Sequence, residues 1–202
     1  MIKHVRRVAT ALLLFLPTAA RAVEYSADSV FHITPGHVKQ GPPTTSKVNF
    51  SNGKVRVQPT GDLSYEIFDT AKPAGYLVIA GKKMIYAQGP NSARLSMIRY
   101  NIGPNPCTTP ASLKQRVACT RLGTETINGR VTEKWQYILT DRRGKLPRTI
   151  WIDRSLNAVL KALQGDKLSY ELINIRFGPQ PASLFVLPAG YKSKQLPDMK
   201  PK

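Results

Sequence analysis

Histidine, cysteine and acid are all scarce in this sequence. Among 202 residues there are 3 His, 2 Cys and 12 Asp+Glu, set against 30 Lys+Arg. Long apolar runs are missing too. The best of them, residues 8–16, is far below the ~20 residues that a membrane-spanning helix needs. The G-x-S-x-G elbow, the P-loop and the G-x-G-x-x-G turn do not occur.

Each shortage excludes a class of function. The spacing from His32 to His37 does not match metal ligands on one strand face, and they read as ordinary surface or half-buried histidines. Glu125 and Glu133 flank a hairpin and could approach each other. Paired carboxylates can do acid–base work, but facing residues on a wet sheet face are commoner. Glu133 reads rather as a rim residue paired with Lys or Arg. No catalytic residue, no metal and no cofactor is expected.

The first residues read as a targeting segment. Lys3, Arg6 and Arg7 make a positive start, residues 8–16 an apolar stretch, and Ala20-Arg21-Ala22 a small-residue cleavage site. Cleavage is expected between Ala22 and Val23; the alternative reading is a membrane anchor. No Cys lies near that site to be lipidated. Residues 1–22 are thus expected to be a signal peptide, 23–194 one domain, and 195–202 a frayed tail. About 180 residues are enough for one domain with a core. Removing Lys3, Arg6, Arg7 and Arg21 takes the formal charge from +18 to +14. The basic residues are scattered, as on a globule with a positive surface. Such a surface could attract an anionic membrane; the plainer reading is solubility alone. An exported protein is not expected to meet nucleic acid.

Cys107 and Cys119, in an oxidising compartment, are expected to form a disulfide around a small loop. Metal binding is the weaker alternative.

What the chain does contain is strand pattern and turn chemistry. Asn52-Gly53 and Asn128-Gly129 sit between alternating runs and mark hairpins, because such turns need positive φ. Residues 122–192 read as one antiparallel meander. Residues 47–57 alternate, which leaves that hairpin one wet face. Residues 76–87 form a hairpin apolar on both faces, and such strands must be covered on both. Helices are expected only at 93–100 and 110–118, with one more turn at 181–185. Leu113 and Val117, four apart, would share one face of the second helix, as a lid over the sheet.

The elements Leu122-Gly123-Thr124-Glu125-Thr126-Ile127-Asn128-Gly129, Glu133-Lys134-Trp135, Ile150-Trp151-Ile152-Asp153 and Phe185-Val186-Leu187-Pro188-Ala189-Gly190-Tyr191-Lys192 occur in that order. Ahead of them come Gly53-Lys54-Val55-Arg56-Val57 and Tyr65-Glu66-Ile67-Phe68-Asp69. In this order the chain resembles the LolA/LolB-like superfamily of periplasmic proteins, which includes outer-membrane lipoprotein carriers. The resemblance covers most of residues 25–192 and holds no catalytic residue. It implies a mainly β fold, a strongly curved antiparallel sheet closed partway into a half-open barrel, here of about ten strands with two or three short helices covering it. It also implies a periplasmic protein, its partner the acyl chain of a lipid or lipoprotein. Carriers of this family begin with a long helix, whereas a strand pattern starts here at Tyr25. Tyr76, Val78, Met84, Tyr86, Trp135, Tyr137, Trp151 and Phe177 are the candidates to line a ligand cavity. They could equally form a packed core, and the chain would then be a protein-interaction or envelope-stress regulatory module.

Overall fold

The computed structural model describes residues 23–33, 40–72, 74–101, 118–141 and 144–198. The cleavage site at Ala22, the segment with Cys107, Leu113 and Val117, and His37 lie outside them. Twelve strands form one sheet: β1 (Tyr25–Ile33), β2 (Gln40–Ser51), β3 (Lys54–Pro59), β4 (Tyr65–Asp69), β5 (Ala74–Ile79), β6 (Met84–Gln88), β7 (Ala118–Ile127), β8 (Arg130–Asp141), β9 (Gly144–Asp153), β10 (Ala158–Gln164), β11 (Lys167–Phe177) and β12 (Lys192–Gln195). Their order across the sheet is β12-β6-β5-β4-β3-β2-β1-β11-β10-β9-β8-β7. Every pairing is antiparallel except that of β12 with β6. Among the described residues the edges β12 and β7 do not meet, so the sheet is not closed into a barrel.

The sequence pattern explains most of this. At the Asn52-Gly53 and Asn128-Gly129 turns both residues have positive φ (50° and 74°, 50° and 75°), which matches the right-handed twist of the flanking strands. Among the described residues twelve strands stand where about ten are expected; β2 is longer than the 47–57 hairpin requires, and β12 has no counterpart among the expected strands. β2 runs through the stretch 41–46, which reads as a polar loop, because it pairs with β1 as far as Ile33 opposite Gln40, across a shift of register beyond Phe31 opposite Thr44. β12 is short, entirely exposed and made of Lys192, Ser193, Lys194 and Gln195; it carries no apolar alternation to announce it.

One helix, α1 (Pro90–Arg99), and two 3-10 turns, Ala80–Lys82 and Ala182–Phe185, complete the described structure. Pro90 stands at the first position of α1, where its missing N–H costs nothing. The N-cap is Gly89, which has no side chain to accept the free amides. Asp198 does so instead. Its Oδ1 accepts from the Ser92 amide at 3.0 Å and its Oδ2 from the Asn91 amide at 3.4 Å. A Cβ on Gly89 would come within 2.3 Å of Asp198 Cγ, so the close approach requires glycine there. Asp198, within the stretch 195–202, thus caps the helix.

In antiparallel pairs, opposed residues share a face. The inner face of the first half carries Tyr25, Ala27 and Phe31 of β1, Val48 and Phe50 of β2, Val55 and Val57 of β3, and Phe68 of β4. These join Ile150, Ile152, Leu160, Ala162, Tyr170 and Leu172 of the second half in one core. α1 lies across β5 on this face: a Cβ at Gly75 would meet Ala93 Cβ at 3.2 Å and Phe68 Cδ1 at 3.1 Å.

Candidate functional site

The inner face beneath α1 is filled. Met97 is buried there. Tyr100, which follows the helix, has its ring centroid 6.3 Å from Phe31 and 6.1 Å from Phe68. The Tyr100 hydroxyl donates to Glu66 Oε1 at 2.7 Å, and Gln88 Nε2 donates to Glu66 Oε2 at 2.9 Å. A buried carboxylate is tolerated when such donors satisfy it. The space left between Val57, Tyr65, Glu66, Leu77 and Tyr100 is about 90 Å³. That holds a few waters at most.

The eight candidate cavity residues fall on both faces. Register places Met84 opposite Ile79 and Tyr86 opposite Leu77, on the α1 side. Tyr76 pairs with Ile67 and Val78 with Tyr65, on the other side. There the segment after β11 covers the sheet. Arg56 Nη1 donates to the Leu184 carbonyl at 3.2 Å, Asn49 Nδ2 donates to Gln180 Oε1 at 2.9 Å, and Phe185 is buried. This strap thus lies over β2 and β3 on the face opposite α1, where Val78 of β5 and Ile85 of β6 are also buried. In the second half, Trp135 lies opposite Ile150 and shares the inner face with Tyr137. Trp151 lies opposite Lys134, on the outer face.

Trp151 is buried, with charged groups around its ring. Its indole N–H donates to Glu125 Oε2 at 2.9 Å, and the ammonium groups of Lys134 and Lys161 sit 4.9 and 5.2 Å from its ring. The Trp151 hydrogen bond, with that of Lys134, holds the Glu125 carboxyl below the usual range. Glu133 shares the inner face with Trp135. Burial opposes its charge, but Arg154 and the Trp135 indole N–H donate to it, Arg121 stands 3.5 Å away, and its pKa falls too. Glu125 is opposite Thr132 and Glu133 opposite Thr124, so the two carboxylates point to opposite faces. His32 pairs instead with Glu171 at 3.2 Å. Neither carboxylate is arranged to exchange a proton with the other or with His32. Among the described residues no three His, Cys, Asp or Glu side chains gather where they could hold a metal.

Phe177, 56% exposed, belongs to a different place. It stands opposite Tyr25 at the end of β11. There a groove of about 340 Å³ opens between β11 and the β7–β8 turn, bounded by Leu172, Ile173, Asn174, Ile175 and Phe177 and by Asn128, Gly129 and Arg130. The sheet curves enough for one groove to take in strands three and four places apart. Arg130 forms the rim. Its guanidinium lies 5.0 Å from the Phe177 ring and is held by Asp153 and by Ser155 Oγ.

Cys119, half-buried on β7 opposite Tyr137, is not a free thiol. The groove and the Asp198 cap had no counterpart in the sequence reading. A usable signal for the cap was Gly89-Pro90, a helix start with no acceptor of its own.

No protein-family model matches the sequence, and no curated protein matches it. Solved structures do. PNGF-II is matched with a TM-score of 0.54 and 12% identity, over 87% of this chain and 31% of that one. The MucA/MucB complex of Pseudomonas aeruginosa follows at 0.48 and 15%, over 85% and 58%. A LolA superfamily protein, NE2245 from Nitrosomonas europaea, is matched at 0.35 and 9%, over 82% and 91%. The chain thus spans under a third of PNGF-II. The likeness to PNGF-II is one of fold, and the lower TM-scores of the other two add nothing further.

Proposed function

We propose that this chain is a non-enzymatic binding protein of the periplasm, and that its ligand is the acyl chain of a lipid or lipoprotein seated in the groove between β11 and the β7–β8 turn. The observation that carries this is the groove itself. Its volume, about 340 Å³, falls in the range of ~300–1,000 Å³ usual for small-molecule sites. Its lining mixes polar and apolar groups, with Leu172, Ile173, Ile175 and Phe177 the apolar part, and a Phe177 left 56% exposed has surface to gain by covering. The region under α1 is already packed, and Met84 and Tyr86 stand half-buried on that side. The export signal supports the compartment, and the separated, ion-paired Glu125 and Glu133 support a protein that binds rather than reacts. A Cys107–Cys119 bond would tie the segment before β7 to the sheet.

Native mass spectrometry of the exported protein incubated with palmitate tests the site. One bound fatty acid is expected, lost in Phe177→Asp and retained in Tyr86→Phe. A protein that is isolated ligand-free and takes up no fatty acid would overturn the reading. The filled core under α1 favours a second one, a protein-interaction module. That reading expects one stoichiometric protein partner in a pull-down and no bound lipid.

A further inference from the structure

We infer that the sheet edge formed by β6 and β12 is a docking surface for an anionic lipid bilayer. Lys82 and Lys83 lie in the turn that leads into β6, and Lys192 and Lys194 on β12. All four are exposed. Register brings them together: Lys192 is opposite Met84, Lys194 is opposite Tyr86, and the Lys192 amide donates to the Lys83 carbonyl at 3.0 Å. Lys192 and Lys194 are two residues apart, so their side chains leave the strand on one side about 7 Å from each other. None of the four is in an ion pair among the described residues.

The sequence keeps acid away from this edge. Residues 70–124 contain no Asp or Glu, and neither do residues 172–197. Asp198, the next acid, is committed to the amides of α1. Asp62, in the β3–β4 turn at the same end of the sheet, accepts the Ser64 amide at 2.8 Å and has no lysine partner among the described residues. Glu66, whose carboxylate reaches Gln88 of β6, is buried three strands from Lys194 and accepts from Gln88 and Tyr100. The positive field of the row therefore keeps most of its strength at the open edge, over a Debye length of about 8 Å at physiological salt.

The shape of the row selects the partner. The ammonium groups stand along an open edge and enclose no cradle for one phosphate, so they fit an extended array of phosphates. A bilayer of anionic headgroups is such an array, and each lysine near it adds attraction. Lysines on an edge strand also deter the addition of another strand. That role needs charge of either sign, so charge reversal separates the two. The inference does not depend on the acyl-chain groove, and its failure would leave that reading standing.

Co-sedimentation of the exported protein with vesicles provides the test. Binding is expected to vesicles of phosphatidylcholine with about one-third phosphatidylglycerol, not to phosphatidylcholine alone, and to fall as salt rises. K82E/K192E is expected to weaken binding at least tenfold, roughly. K145E/K167E makes the same change in net charge at exposed positions on β9 and β11, and is expected to weaken it less than about threefold. Equal losses in the two variants would overturn the inference, leaving only net charge. So would binding to a soluble polyanion such as heparin with none to anionic vesicles. If K82E/K192E lowers the melting temperature, K82Q/K192Q replaces it, with the same ordering expected.

Discussion

Asp153 shows how this chain uses its few acids. Only 2% of the residue is exposed. Burial opposes its charge, yet Arg130, the Ser155 hydroxyl and the Leu156 amide all donate to it, and its pKa is held below the ordinary value. Removing one partner of a buried pair leaves the other charge uncompensated. Asp153→Ala is therefore expected to cost about 3 kcal/mol or more in urea unfolding at neutral pH. The depressed pKa fixes the pH dependence. The contribution of Asp153 is complete above the unfolded-state value of about 3.9 and is lost as pH falls through the lower folded-state value. The stability gap between wild type and Asp153→Asn should narrow in that acidic window; a gap constant from pH 7 to pH 2 would refute the assignment. The pair was not legible in the sequence. Arg130 opens β8 and Asp153 closes β9, 23 residues on, and only the pairing of these two consecutive strands along most of their length joins them.

At the scale of elements, strands and turns followed from local chemistry, while covers and caps did not. Asn-Gly at 52–53 and 128–129 imposes a hairpin wherever it stands between strands, since few other residues accept its dihedrals. The two-sided apolar pattern of β5 and β6 demanded two covers; α1 supplies the inner one, and on the outer side the strap lies over β2 and β3. Which element would cover which face depends on where a chain more than ninety residues further on returns, and no local pattern encodes that. Helix α1 is the clearest case, because its cap is Asp198. Asp198→Ala should destabilise by about 0.5–2 kcal/mol, the usual range for loss of an N-cap. Gly89→Ala has an allowed backbone (φ −68°) but forces Asp198 aside, so it should cost a similar amount. Combined, the two substitutions should fall well short of additive, because either alone already breaks the same contact. An additive double-mutant cycle in urea would mean that the tail and the helix start are energetically separate.

At the scale of the whole molecule, the mainly β fold was legible because period-two alternation and turn residues recur along most of the chain. The site was not, since large apolar side chains look alike whether they line a cavity or fill a core. Trp135 and Trp151 make the point: similar in the sequence, they stand on opposite faces and are covered by different chemistry. What the resemblance to the carriers left open is how the second half of the inner face, around Trp135 and Tyr137, is shielded. The segment before β7 is the candidate, and Cys119, opposite Tyr137 and not a free thiol, is where it joins the sheet. If Cys119 is bonded to Cys107, the bond closes a loop of about a dozen residues and contributes on the order of 2–3 kcal/mol, mainly by restricting the unfolded chain. The helix expected at 110–118 is too short to persist alone, and tethering both its ends would hold Leu113 and Val117 near the sheet. C107S/C119S should then melt lower by roughly 4–8 °C, since ~2 kcal/mol in a domain of this size corresponds to that shift. The single variants should melt as low as the double, because either one breaks the bond. Thiol titration of the unfolded, unreduced protein provides the independent check: no reactive thiol is expected, and two would leave the segment untethered.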